Sequence, residues 1–124
     1  MTSSVVTGTD LEIIEDETEE GTLVCLRGRL SIDSSPAFRD RLLATLRRES
    51  AGVVVIVDLT GVSYMDASGV ATLVEGLKIA RNGQATLCLQ GMQGRVRHLF
   101  EVTGLLALFE TAGCESATSA PKVP

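Results

Sequence analysis

Apolar positions change their spacing several times along the chain, and each change predicts a change of element. Residues 11–14 and 22–28 are short apolar segments separated by residues 15–21, a polar loop ending in glycine, which predicts an antiparallel hairpin. Ser34-Ser35-Pro36 then supplies a hydroxyl cap followed by proline, residues suited to a first helical turn. Phe38, Leu42, Leu43 and Leu46 recur at helical spacing beside Arg39, Arg41, Arg47 and Arg48, so an amphipathic helix is predicted that stops near Gly52. Residues 53–59 are aliphatic throughout except for Asp58, the pattern of a central strand covered on both faces in a largely parallel sheet. After a loop over residues 60–65, Asp66-Ala67-Ser68-Gly69 opens a second helix whose Val70, Leu73, Val74 and Leu77 make one apolar stripe ending at Asn82-Gly83. Residues 85–89 return as a strand. Residues 91–102 read as a third helix with Val96, Leu99 and Phe100 inward, Gly104 as its stop, and residues 106–110 as a last short strand or helix-like cover.

Alternation of strand and helix after the hairpin implies parallel crossovers. The expected fold is therefore a single α/β domain over residues 11–110, a mostly parallel β-sheet with an N-terminal edge hairpin and packed α-helices. Residues 1–10 and 111–124 are expected to be flexible termini. The 124-residue length suits one domain, and 44% hydrophobic residues with a mean hydropathy of +0.25 supply its core. The longest aliphatic run, residues 53–57, is far short of the ~20 residues of a membrane helix, and residues 1–10 lack the features of a signal peptide. A cytoplasmic location without direct membrane insertion is expected.

Charge narrows the partners. The net charge is −5, yet seven of the sixteen acidic residues fall between Asp10 and Glu20, leaving nine acids against eleven bases elsewhere. With 3% aromatic residues and no tryptophan as well, nucleic acid is not an expected partner. Cys25, Cys88 and Cys114 show no metal-ligand spacing and read as reduced, with Cys25 and Cys88 inside apolar runs.

Enzymatic chemistry is poorly supplied. His98 is the sole histidine, and no phosphate-binding glycine loop or dinucleotide fingerprint is present. Asp58, at the end of the aliphatic strand, invites comparison with a phosphoaspartate receiver, but the acidic pair that would hold Mg²⁺ is missing from the earlier strand ends. No enzyme activity, cofactor or metal is expected. The constellation that stands out is Asp66-Ala67-Ser68-Gly69, at the mouth of the second helix. It admits a structural reading, with Asp66 as cap, Ser68 tolerated in the first turn and Gly69 permitting close packing. It also admits a functional one, with Ser68 exposed where helix amides accommodate an added phosphate.

Residues 53–110 closely resemble the STAS domain of bacterial anti-sigma factor antagonists. The resemblance rests on the aliphatic strand ending in Asp58-Leu59, on the spacing to Met65-Asp66-Ala67-Ser68-Gly69, and on the closing Val102-Thr103-Gly104-Leu105 with Phe109. Upstream, Leu26-Arg27-Gly28-Arg29-Leu30 followed by Asp33 is similar to that family's second strand and the loop into its first helix. The resemblance implies a non-enzymatic, partner-switching phosphoprotein of transcription regulation. In its unphosphorylated form it binds an anti-sigma factor serine kinase and frees the sigma factor; phosphorylation of Ser68 blocks binding. The kinase supplies ATP and Mg²⁺, and a serine phosphatase resets the switch. Asp66 and Gly69 match the motif's flanks, and Asp33 with an exposed Thr72 is expected on the same partner-binding rim. Ala67 stands where the family often has serine or threonine, which leaves Ser68 as the acceptor. The alternative is a STAS subunit docking on the ATPase of an ABC lipid-transport system.

Overall fold

The computed structural model describes residues 3–7, 10–48, 52–83 and 85–110. Strands β1 (Ser3–Thr7), β2 (Leu11–Thr18), β3 (Gly21–Leu30), β4 (Val54–Met65) and β5 (Thr86–Gln90) form one sheet in the order β1-β2-β3-β4-β5. The first three pair antiparallel, whereas β3–β4 and β4–β5 are parallel. Helices α1 (Ser35–Arg48), α2 (Ala67–Asn82), α3 (Gly94–Val102) and α4 (Leu105–Glu110) complete the chain. The period-two pleat sends Leu11, Ile13, Val24, Leu26, Val55, Val57, Leu87 and Leu89 to one face. There they join Phe38, Leu42, Leu73, Leu77, Phe100 and Phe109 from the helices in a single core. On the other face Ile56 and Cys88 form a small separate cluster with Leu23 and Val54 against it.

The α/β class, the hairpin and the two parallel pairings match the expectation from sequence. Four details differ. The sheet begins at Ser3 rather than Leu11, with Val5 opposite Ile14 and Val6 opposite Ile13. Two valines among hydroxyl residues are too short a pattern to reveal a strand, and the free edge of β2 supplies its partner. Residues 111–124 lie outside the described residues.

Second, β2 runs through the supposed polar loop, so the turn is only Glu19-Glu20. The acids are accommodated because they have partners: Arg41 pairs with Glu15 at 2.5 Å, Thr45 also bonds the Glu15 carboxylate, and Thr22 donates to Glu17 at 3.1 Å. Third, β4 continues over residues 60–65, where a loop was expected. Gly28, Arg29 and Leu30 stay alongside Val62, Tyr64 and Met65, but two register shifts break the alternation that marks a strand. At the first shift Gly61 lies so close to β3 that a Cβ would come within 2.9 Å of the Leu26 carbonyl oxygen. Consequently β4 is interior but next to the edge strand β5, and β3 is the middle strand. Fourth, α3 begins at Gly94 rather than at Gly91; of the two forms expected for the last element, the structure has the helix.

Candidate functional site

Leu30 and Met65 are partners at the ends of two parallel strands, so the chain leaves β3 and β4 level with one another. Each strand feeds a helix, and the two N-termini arrive side by side, with Ser35 Oγ 3.0 Å from Ser68 Oγ. Asp66 sets this junction. Extended at φ −112° and ψ −171°, it N-caps α2, its Oδ1 accepting from the Ser68 and Gly69 amides at 2.9 and 3.4 Å. The same oxygen accepts from the Ser68 hydroxyl at 2.6 Å, while Oδ2 accepts from the Ile32 amide at 3.2 Å. The Asp66 amide in turn donates to the Leu30 carbonyl at 3.2 Å. The Ser68 hydroxyl bond above all holds the Asp66 carboxyl below its usual range; the Ser68, Ile32 and Gly69 amides act in the same direction and desolvation opposes them.

Because Ser68 spends its one proton on Asp66, the shared Ser35–Ser68 contact must have Ser35 as donor. Ser68 Oγ is thus fixed from two sides and keeps one lone pair free. It opens onto a cleft of about 290 Å³ between α1 and α2, lined also by Ile32, Ser35, Pro36, Arg39 and Thr72. Neighbouring hydroxyls are less accessible: Ser31, Ser34 and Ser35 are buried, whereas Ser68 is half-buried.

The remaining residues expected on the rim divide. Asp33 is exposed in the loop before α1, its amide donating to Ser31 Oγ at 3.3 Å. Thr72 is not exposed but 6% accessible, at the α1-facing side of α2, and its hydroxyl donates to the Ser68 carbonyl at 2.9 Å. A helix position four residues after an exposed one shares its face, but here α1 covers that face. Gly69 is buried too, and a Cβ there would come within 2.8 Å of Leu30 and 2.9 Å of Met65. It lets α2 lie close against the strand ends.

Three neighbours escaped the sequence reading. Ile32 stands 71% exposed beside the Asp66 contact. Its signal was a lone apolar residue inside a capping loop, between Ser31 and Asp33. Arg39 bridges α1 to Glu75 of α2 through two hydrogen bonds, and Arg29 lies 4.2 Å from the centre of the Tyr64 ring. Neither pair leaves a local sequence signal, because partners 35 or more positions apart meet only through the fold. His98 is exposed, and burial, followed by the Asp58 and Asp16 charges, pushes the Cys25 thiol up, away from the reactive thiolate. Among the described residues no group of three His, Cys, Asp or Glu side chains converges to hold a metal, and no helix is long and apolar enough to cross a membrane.

A STAS domain protein from Planctomyces limnophilus, described as an anti-sigma-factor antagonist, superposes with a TM-score of 0.71 at 20% identity, over 78% of this chain and 86% of that one. The sheet and its helices are therefore a STAS fold. The profile of a family described as "Mlab, STAS domain" matches residues 13–110. The anti-sigma-B factor antagonist of Listeria monocytogenes is 33% identical over 105 residues, spanning 85% of this chain and 90% of the relative. That of Bacillus subtilis is 28% identical over 89 residues, 72% and 79% of the two chains. This chain belongs to the STAS domain family.

Proposed function

We propose that the protein is an anti-sigma factor antagonist, binding an anti-sigma factor serine kinase while Ser68 is unmodified and released when Ser68 is phosphorylated. The relatives named anti-sigma-B factor antagonists support the general role. The observation that carries the switch is the Ser68 hydroxyl, held between Asp66 and Ser35 at the open end of the α1–α2 cleft with a lone pair to spare. In the transfer, Ser68 Oγ bonds to the γ-phosphorus of ATP held with Mg²⁺ by the kinase. The bond from that phosphorus to the ADP oxygen breaks, and the hydroxyl proton passes to a base of the kinase. A serine phosphatase reverses the modification, and the cycle runs in the cytoplasm. Asp33 and the exposed Ile32 form the docking rim, while Asp66, Gly69 and Thr72 hold the rim and the acceptor in place from beneath.

The tagged protein, recovered from its native cell, is expected to bring with it an anti-sigma kinase that adds one phosphate from ATP. Peptide mapping should place it on Ser68. Modification solely at Ser31, Ser34 or Ser63 overturns the site. Recovery of an ABC ATPase with its permease, and no kinase, overturns the sigma reading in favour of a lipid-transport subunit.

A further inference from the structure

Arg39 lies one helical turn beyond Ser35 on α1, about 6 Å along the axis, and lines the cleft onto which Ser68 opens. It is the only base among the described lining residues; the other charge there is Asp40, with Asp66 and Glu75 close by on α2 and its cap. Arg39 now grips Glu75 with Nε 2.8 Å from Oε1 and Nη2 2.6 Å from Oε2. The side chains of that pair are 47% and 38% exposed, and an ion pair so wet is weak and readily exchanged. Helical side chains lean toward the N-terminus of their own helix, which for Arg39 is the direction of Ser35 and the hydroxyl bonded to it. A phosphate on Ser68 would bring about −1.5 to −2 charges into a cleft whose other charges are mostly acidic.

We propose that in the Ser68-phosphorylated protein Arg39 leaves Glu75 and grips the phosphate, fastening α1 to α2 across the cleft. The inference rests on Ser68 being the modified residue. A planar guanidinium meets two phosphate oxygens as it now meets two carboxylate oxygens, and the doubly charged partner is preferred. The exchange takes from Glu75 its hydrogen-bonded arginine, so modification changes the charge of the surface at two places, the phosphate and a carboxylate two turns along α2.

Phosphoserine incorporated at position 68 during translation tests this without the kinase. The second ionisation of the phosphate is followed by phosphorus NMR in the parent, in Arg39→Gln and in Arg47→Gln. Arg47 is exposed further along α1 and acts on Glu75 electrostatically, so its removal controls for net charge. Loss of Arg39 is expected to raise the phosphate pKa by about half a unit or more, and loss of Arg47 by about a fifth of a unit or less. Equal pKa values in the parent and Arg39→Gln, or equal shifts in the two variants, overturn the contact. Failure of the native kinase to modify Ser68 is read separately, by mass spectrometry of the unmodified protein.

Discussion

Asp66 joins two loops 34 residues apart in sequence, through bonds to the Ile32 amide on one side and to Ser68 on the other. All these partners are donors, so the ionised carboxylate is the form that the fold favours. Its folded pKa is held below the unfolded value of about 3.9, so the charge contributes its full stability above that pH and loses it as pH falls through the lowered native value. Asp66→Asn keeps one capping oxygen, removes the charge and sets an NH2 group where the second oxygen accepts from the Ile32 amide. Near neutral pH it is expected to be less stable than the parent by at least about 0.3–1 kcal/mol, the usual worth of a carboxylate at a helix N-terminus, with the lost Ile32 bond in addition. Urea midpoints of the two proteins should draw together as pH falls below the unfolded value and through the lowered native one. A gap that stays constant with pH would show that the charge adds nothing to the cap.

Among elements, β4 bears most of the organisation: it pairs on both sides, feeds α2, and buries Val55 and Val57 completely. Val55→Asp places an unpaired carboxylate at 0% accessibility, a cost of several kcal/mol against a typical total stability of about 5–15 kcal/mol. Circular dichroism is expected to show no cooperative melt; a parent-like melt would mean that the strand tolerates the charge. The first half of β4 was legible because five consecutive aliphatic residues leave little other than a buried strand. Its second half was not, because Gly61 and two register shifts erase the alternation, and pairing with β3 is a tertiary fact. The same division holds at the site. Asp66, Ser68 and Gly69 fall within four consecutive residues and could be read together, whereas the cover that α1 lays over Thr72 and the Arg39–Glu75 pair depend on two helices being set side by side.

At the scale of the whole molecule, the proposed modification of Ser68 is expected to act on docking and leave folding intact. Ser68 is only half-buried at a helix start, so a negative group there meets helix amides and water rather than the core. Against a partner it must be desolvated beside Asp66, and each 1.4 kcal/mol of that cost is about tenfold in affinity. Ser68→Ala is therefore expected to bind the anti-sigma kinase about as tightly as the unmodified protein, and Ser68→Glu at least about tenfold more weakly, with similar thermal melts for all three. Calorimetric titration decides it: equal affinities for the two variants, or tighter binding of the phosphorylated protein, would overturn the sign of the switch.

The strand order β1-β2-β3-β4-β5 repeats the order of synthesis. No later strand has to be inserted between two that have already paired, and each newcomer finds its place at the one edge still growing. Each antiparallel pairing joins strands separated by no more than three residues of chain, whereas each parallel pairing needs a longer helical crossover to close. A ribosome delivering this chain from its N-terminus thus releases the strands in the sequence in which the sheet can accept them. β5, only five residues long, comes last and finishes the growing side with a short edge that offers little template to another chain.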